Sequence, residues 1–245
     1  MPLFPFVKMQ AQGNDFIIID GLNHPIPHLD TPTIRTLTDR RLGIGCDQLL
    51  VLTKTAAVDA FLTIYNQDGS QAMNCGNGLR CVGDYLLRQL NQPQCTLAIH
   101  DRTIQAERTD IGIRVAMGNA VITEENVHHI DLNIGNRHRV FFDAMESITE
   151  ASSTHNIEII TGQVGNHAWI EIIERGVGPT LACGSGACAV TAAIWHRDQH
   201  NEPQTIEMPG GQVVVSGTPK MMLLEGAVSR VFTGEFEIKQ HHFPF

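Results

Sequence analysis

Two stretches, Cys75-Gly76-Asn77-Gly78-Leu79-Arg80-Cys81 and Cys183-Gly184-Ser185-Gly186-Ala187-Cys188, decide how this chain is read. After the first, Leu79, Val82, Leu86, Leu87 and Leu90 recur at helical spacing, which predicts an amphipathic helix over 79–90. After the second, Ala189, Ala192 and Ala193 favour a helix over 187–196. One C-G-x-G could arise by chance. Two of them, each behind strand-like runs and ahead of a helix, mark an internal repeat.

Outward from the first motif lie short aliphatic runs at 16–20, 49–53 and 60–65, with a turn signal at Asn66-Gln67-Asp68-Gly69-Ser70 and a short helix expected over 33–41. Three more strands are predicted at 95–99, 103–107 and 112–117. From about residue 118 the pattern restarts, with strand-like runs at 121–133, 140–143, 157–161 and 168–173 around a loop at Gly135-Asn136-Arg137-His138. Two similar α/β halves follow from this pattern.

With 245 residues, 42% apolar and 18% charged, the chain is long enough for two such halves and reads as globular. Acidic residues number 26 against 17 basic, a net charge of −9, so no broad positive field draws nucleic acid or an anionic membrane. A small-molecule partner is expected instead. The opening MPLFPFVKMQ lacks the pattern of a secretory leader, and no apolar run is long enough to span a bilayer, so a cytoplasmic location is expected. The six cysteines are then expected to be reduced. None forms a C-x-x-C pair, and no H-E-x-x-H spacing occurs among the twelve histidines, so no metal site is expected.

A cysteine at a helix N-terminus sits among unpaired N–H groups at the positive end of the helix dipole, which predicts a lowered thiol pKa. Glycines after it let a ligand approach the backbone, whose N–H groups suit a carboxylate. Two such units facing each other place two thiols on opposite sides of one carbon. That suits racemisation or epimerisation, in which one group takes a proton from one face and another returns it to the opposite face. Helix N-termini aimed at the α-carboxylate would stabilise the enolate-like charge without pyridoxal phosphate, and no cofactor is expected. Cys46 and Cys95 read as core residues, and Cys81 and Cys188 as helix packing.

At these residues the chain resembles the diaminopimelate epimerase family. The resemblance runs through Gly13-Asn14-Asp15-Phe16, Asp47-Gln48, Asn66-Gln67-Asp68-Gly69, Cys75-Gly76-Asn77-Gly78, Gly135-Asn136-Arg137-His138, Glu174-Arg175-Gly176-Val177-Gly178, Ala182-Cys183-Gly184-Ser185-Gly186 and Pro209-Gly210-Gly211. It implies two pseudo-symmetric domains, each a curved mixed sheet wrapped around a central helix, with the active site in the cleft between them. The domains would be 1–117 with about 231–245, and 118–230. It further implies Cys75 and Cys183 as the acid/base pair, and Gly76, Asn77, Gly184 and Ser185 as donors to the reacting carboxylate. Asn14, Gln48, Asn66, Asn136, Asn156, Glu174 and Arg175 would hold the rest of an amino-acid substrate, Arg175 by its fork on a distal carboxylate. His138 would be a polar partner near the amine and thiols. LL/meso-diaminopimelate interconversion and a homodimer complete what the resemblance implies.

Other readings stand beside these. The asparagines flank turns, where that residue is common for backbone reasons; Glu174 and Arg175 read equally as a solvated pair, His138 as a surface loop residue, and Gly210-Gly211 as a tight turn. Arg137 stands where the family usually has proline, and the stretch from Asn136 to Asn156 is shorter than usual, which opens the reading of a two-thiol racemase for another amino acid, such as histidine. A non-catalytic protein that holds anions at its helix N-termini is the third reading. Pro179 and Leu181 also depart from the family pattern.

Overall fold

The computed structural model describes residues 2–143 and 152–238. The first half comprises β1 (Leu3–Ala11), β2 (Asn14–Asp20), α1 (Thr31–Thr38), β3 (Gln48–Thr53), β4 (Ala60–Asn66), α2 (Gly76–Leu90), β5 (Gln94–Ile99), β6 (Arg102–Arg108) and β7 (Ile113–Gly118). The second comprises β8 (Val121–Glu125), β9 (His129–Asn133), β10 (Arg137–Phe141), β11 (Asn156–Val164), β12 (His167–Glu174), the two-residue β13 (Gly178–Pro179), α3 (Gly184–Asp198), β14 (Gln204–Met208), β15 (Gly211–Thr218) and β16 (Met221–Gly226). β17 (Ser229–Glu237) closes the described chain.

The pairing pattern shows the duplication. In the first half β1 pairs antiparallel with β2, β2 parallel with β3, β3 antiparallel with β4, β4 parallel with β5, and β5, β6 and β7 follow antiparallel. The same order of senses runs through β9, β10, β11, β12, β14, β15 and β16. Each half has one further antiparallel strand at its outer edge: β8 on β9 in the second, and β17, returning from the far end of the chain, on β1 in the first. β7 and β16 pair antiparallel and join the two halves into one mixed sheet of 17 strands.

Each half wraps its sheet around one helix. Residues Gly76 to Leu87 of α2 and Gly184 to Trp195 of α3 are all buried, and they share one hydrophobic core with the inward faces of both half-sheets. Both helices end on a left-handed C-cap, Asn91 at φ 51° and Gln199 at φ 56°. No helix among the described residues is long and apolar enough to cross a membrane.

Several elements depart from the sequence reading. Both central helices begin one turn earlier than the apolar periodicity indicates, because their first turns are built from glycine and polar residues that carry no hydrophobic signal. The run at 121–133 is two strands, β8 and β9, separated by a turn in which Asn126 Oδ1 accepts from the N–H groups of His128 and His129. The short helix runs from Thr31 to Thr38, capped by Asp30 with Pro32 in its first turn.

Candidate active site

The N-termini of α2 and α3 meet. A β-carbon on Gly184 would lie 3.2 Å from Gly76 Cα and 3.2 Å from Asn77 Oδ1, and one on Gly76 or on Gly184 would come within 2.8 Å of Leu224. Only glycine allows these helix ends to approach so closely. Cys75 and Cys183 are the N-caps: Cys75 Sγ accepts from Gly78 N at 3.3 Å, and Cys183 Sγ from Gly186 N at 3.4 Å. Both thiols open onto one cleft of about 1090 Å³ between the halves.

That cleft gathers nearly every residue singled out in the sequence. Asn14, Gln48, Asn66, Gly76, Asn77, Asn136, Asn156, Glu174, Arg175, Gly184 and Ser185 line it beside the two cysteines, with Arg137. Asn14 is held by a 2.7 Å bond from its Nδ2 to Asp47, and its Oδ1 faces Asn77 Nδ2 at 3.3 Å and Cys75 Sγ at 3.9 Å. Gln48 Nε2 donates to Asn66 Oδ1 at 3.0 Å across the β3–β4 pair. Asn156 Oδ1 accepts from Arg175 N at 2.9 Å and so fixes the turn that presents the Arg175 side chain. Ser185 Oγ lies 3.5 Å from Cys183 Sγ.

Glu174 and Arg175 form no ion pair with each other. Glu174 Oε1 accepts from Thr180 Oγ1 at 2.8 Å, and burial raises the Glu174 carboxyl above its usual value. Arg175 is exposed at the cleft mouth. His138 is neither on the surface nor in a loop: it lies in β10, fully buried, with Nδ1 2.8 Å from Glu158 Oε1. Gly210 is more than a turn residue, since a β-carbon there would sit 1.9 Å from the carbonyl oxygen of Gln12. Leu181 also gains a role, because its side chain covers Gly13, the residue before Asn14. Of the stretch between Asn136 and Asn156, residues 144–151 lie outside the described residues.

The thiols do not have the lowered pKa that the helix-terminus argument predicts. Burial outweighs the N–H groups: Cys75 is pushed up to about 12, with Gly78 N, Asn77 N and the Arg80 charge pulling the other way. Cys183 is raised well above an ordinary thiol by burial, then by the charges of Glu174 and Glu158. A thiolate of high pKa is scarce, but it is a strong base, which suits a weakly acidic α-proton.

Three cleft or near-cleft groups went unread in the sequence. Glu158 stands alone among Ile157, Ile159 and Ile160, a lone charge in an apolar strand that could have flagged it. Asn74, 7% exposed at the cleft wall, has neither amide atom bonded, and Arg80 is wholly buried behind the first turn of α2; neither carries a sequence signal. His138, Glu158 and Cys183 are also the one donor group among the described residues compact enough for a metal, with ligand atoms within 4.8 Å of one another. His138 Nδ1 and Glu158 Oε1 are already hydrogen-bonded to each other at 2.8 Å. Two histidine pairs stand four apart in sequence, His24 with His28 and His196 with His200, and neither joins such a group.

The chain matches the family model described as diaminopimelate epimerase twice, over residues 6–123 and 113–231. It is 33% identical over 273 aligned residues to a diaminopimelate epimerase of Halorhodospira halophila, covering 95% of each chain. To a diaminopimelate epimerase of Sphingopyxis alaskensis it is 31% identical, covering 96% of this chain and 98% of that one. The solved structure of a Pseudomonas aeruginosa protein described as a predicted epimerase shares the fold with a TM-score of 0.76 at 12% identity, over 96% of this chain and all of that one.

Proposed function

The chain belongs to the diaminopimelate epimerase family, a family of isomerases, and on that premise we propose that it interconverts LL- and meso-diaminopimelate through Cys75 and Cys183. The observation that carries the reading is the meeting of two cysteine-capped helix N-termini at one cleft. One thiolate removes the α-proton from one face, and the opposite thiol delivers its own proton to the other. The two sulfurs exchange protonation states in each turnover, and no cofactor enters.

Backbone N–H groups of Gly76, Asn77, Gly184 and Ser185 hold the α-carboxylate as negative charge develops on it. Asn14, Gln48, Asn66, Asn136 and Asn156 position the rest of the substrate, with Glu174 near an ammonium group and Arg175 on the distal carboxylate. His138 supports Cys183 from behind the cleft. The reading places the enzyme in lysine and peptidoglycan precursor synthesis, in the cytoplasm, as a homodimer. Its domains are 1–117 with about 231–245, and 118–230; the return of β17 to β1 supports this division, and residues 239–245 lie outside those described.

Arg137 favours a second reading, since it adds an exposed cation to a cleft that Arg175 and Arg40 already line. A two-thiol racemase for another amino acid, such as histidine, would keep the cysteines and differ at that end. Exchange of the α-proton in deuterated water, with no added cofactor, separates the two when diaminopimelate, lysine and histidine are compared. Cys75→Ala and Cys183→Ala are expected to lose turnover with the fold intact. Full turnover by either variant would refute the two-thiol mechanism.

A further inference from the structure

Arg80 has no exposed surface and is the largest fully buried side chain among the described residues. It lies one turn beyond Cys75 on α2. Its partners are all neutral oxygens: Nη2 donates to Gln12 Oε1 at 2.6 Å and to Asn77 Oδ1 at 2.7 Å, and Nη1 to the Ala227 carbonyl at 3.3 Å. Nε has no partner, and no carboxylate among the described residues lies within ion-pair distance. Burial pulls its pKa down only to about 10, so the group stays charged at neutral pH.

A buried cation without an anion is costly, and folds usually pair such a charge or discard it. Here the surroundings are shaped to keep it. A β-carbon on Gly226 would lie 2.6 Å from Nη1, and Gln12, in a left-handed turn at φ 50°, donates its Nε2 to the same Ala227 carbonyl at 3.1 Å. The bond to Asn77 Oδ1 also orients that amide. Its Nδ2 is thereby turned toward Asn14 Oδ1 at 3.3 Å and the Ala182 carbonyl at 3.5 Å, the residue before Cys183.

Resting on the two-thiol reading above, we propose that Arg80 is a positioning residue for the proton transfer: its charge is the buried counterpart of the anions that form between the two helix N-termini, and its fork fixes the Asn77 amide. The missing anion is then supplied by the site itself, as a thiolate and a substrate carboxylate. Arg80 touches neither sulfur nor substrate; it acts through the field and through Asn77.

The test is the pH dependence of iodoacetamide alkylation at Cys75, followed by mass spectrometry in the full chain, alongside kcat and KM. Arg80→Met removes the charge, and its Cys75 alkylation midpoint is expected to rise by about one pH unit, which is about tenfold slower labelling on the rising limb; kcat falls at least as far. Arg80→Lys keeps the charge without the fork, and is expected to restore the midpoint while kcat recovers only in part. Arg80→Gln, which retains hydrogen-bonding capacity, takes the place of Arg80→Met if that variant does not fold. A folded neutral variant with an unmoved midpoint overturns the proposal, because a purely structural arginine would change stability alone. Alkylation needs no substrate, so loss of the epimerase reading, seen as a wild-type chain that exchanges no α-proton, is told apart from loss of this one.

Discussion

Glu158 Oε1 and His138 Nδ1 are 2.8 Å apart, and neither side chain has any exposed surface. With Nδ1–H donating to the carboxylate, the ring is fixed in one orientation against the first turn of α3. The remaining atoms, His138 Nε2 and Glu158 Oε2, have no hydrogen-bond partner, and one ligand atom of each residue lies within 4.8 Å of Cys183 Sγ. Glu158→Gln keeps the shape and an acceptor oxygen but deletes the charge. After burial, the charges of Glu174 and Glu158 are what hold the Cys183 thiol up. The variant is therefore expected to alkylate at Cys183 at lower pH than wild type. Turnover is expected to drop about tenfold, or ~1.4 kcal/mol of transition-state stabilisation. An unchanged Cys183 labelling profile would disprove this role for Glu158.

Gly186 gives way to the same carboxylate: a β-carbon there would stand 2.4 Å from Glu158 Oε1 and 3.1 Å from its Cδ. Glycine to alanine inside a helix ordinarily stabilises by about 0.5–1 kcal/mol. Here the clash dominates, and Gly186→Ala is expected to destabilise by about 1–3 kcal/mol in urea unfolding. The double variant Gly186→Ala with Glu158→Ala is expected to recover part of that loss, because the two side chains compete for one space. Strict additivity of the two single effects would show that the contact is not the cause.

Much of this was legible in the sequence, for physical reasons that differ by residue. The repeat could be read because a glycine-rich helix start constrains local sequence, and Cys75 and Cys183 stand at equivalent caps. The cleft residues Asn14, Gln48 and Asn66 came with the family's motifs. The thiol pKa could not be read, because the helix-terminus effect is local while burial is set by the whole fold, and burial wins at both cysteines. β1 was missed since Pro5 and Lys8 interrupt its apolar run; Lys8 is nonetheless buried, with Nζ on Asp15 and on the Gly45 carbonyl. Arg80 and Glu158 are charges in apolar surroundings, and only tertiary structure shows what they face.

Asp15 ties β2 to the loop before β3: its carboxylate takes Lys8 Nζ at 2.7 Å and Arg40 Nη2 at 2.7 Å, and Arg40 continues to Asp47 at 2.8 Å. Burial alone would raise this carboxyl, but the hydrogen bonds from Arg40 and Lys8 and their charges hold it below the usual 3.8. A folded-state pKa below the unfolded one means that the stabilisation is fully present above pH 3.8 and is lost as pH falls through the lower folded value. Asp15→Asn is expected to lower stability at pH 7 by ~1 kcal/mol, discounted for partial exposure, and to flatten the acid limb of a Tm-against-pH curve. A variant whose curve keeps the full acid slope would assign that slope to other carboxylates.

Arg175 and Arg137 are exposed cations that line the cleft with Arg40, and because Arg40 is tied to Asp15 and Asp47 they carry the question of substrate. Arg175 is presented by a turn fixed through its own N–H to Asn156, whereas Arg137 opens β10 with its backbone held in the ladder opposite Asn133. A guanidinium that meets a distal carboxylate with two parallel bonds contributes to substrate binding more than to the reacting carbon. Arg175→Met is thus expected to raise KM for diaminopimelate at least tenfold with kcat changed less than threefold, and Arg175→Lys to recover only part because the fork is lost; both factors are rough, about 1.4 kcal/mol per tenfold. Arg137→Ala is expected to shift KM by less. If Arg137→Ala instead carries the larger KM effect, or if Arg175→Met leaves KM untouched, the distal group is held elsewhere and the preference for a substrate with two carboxylates loses its basis.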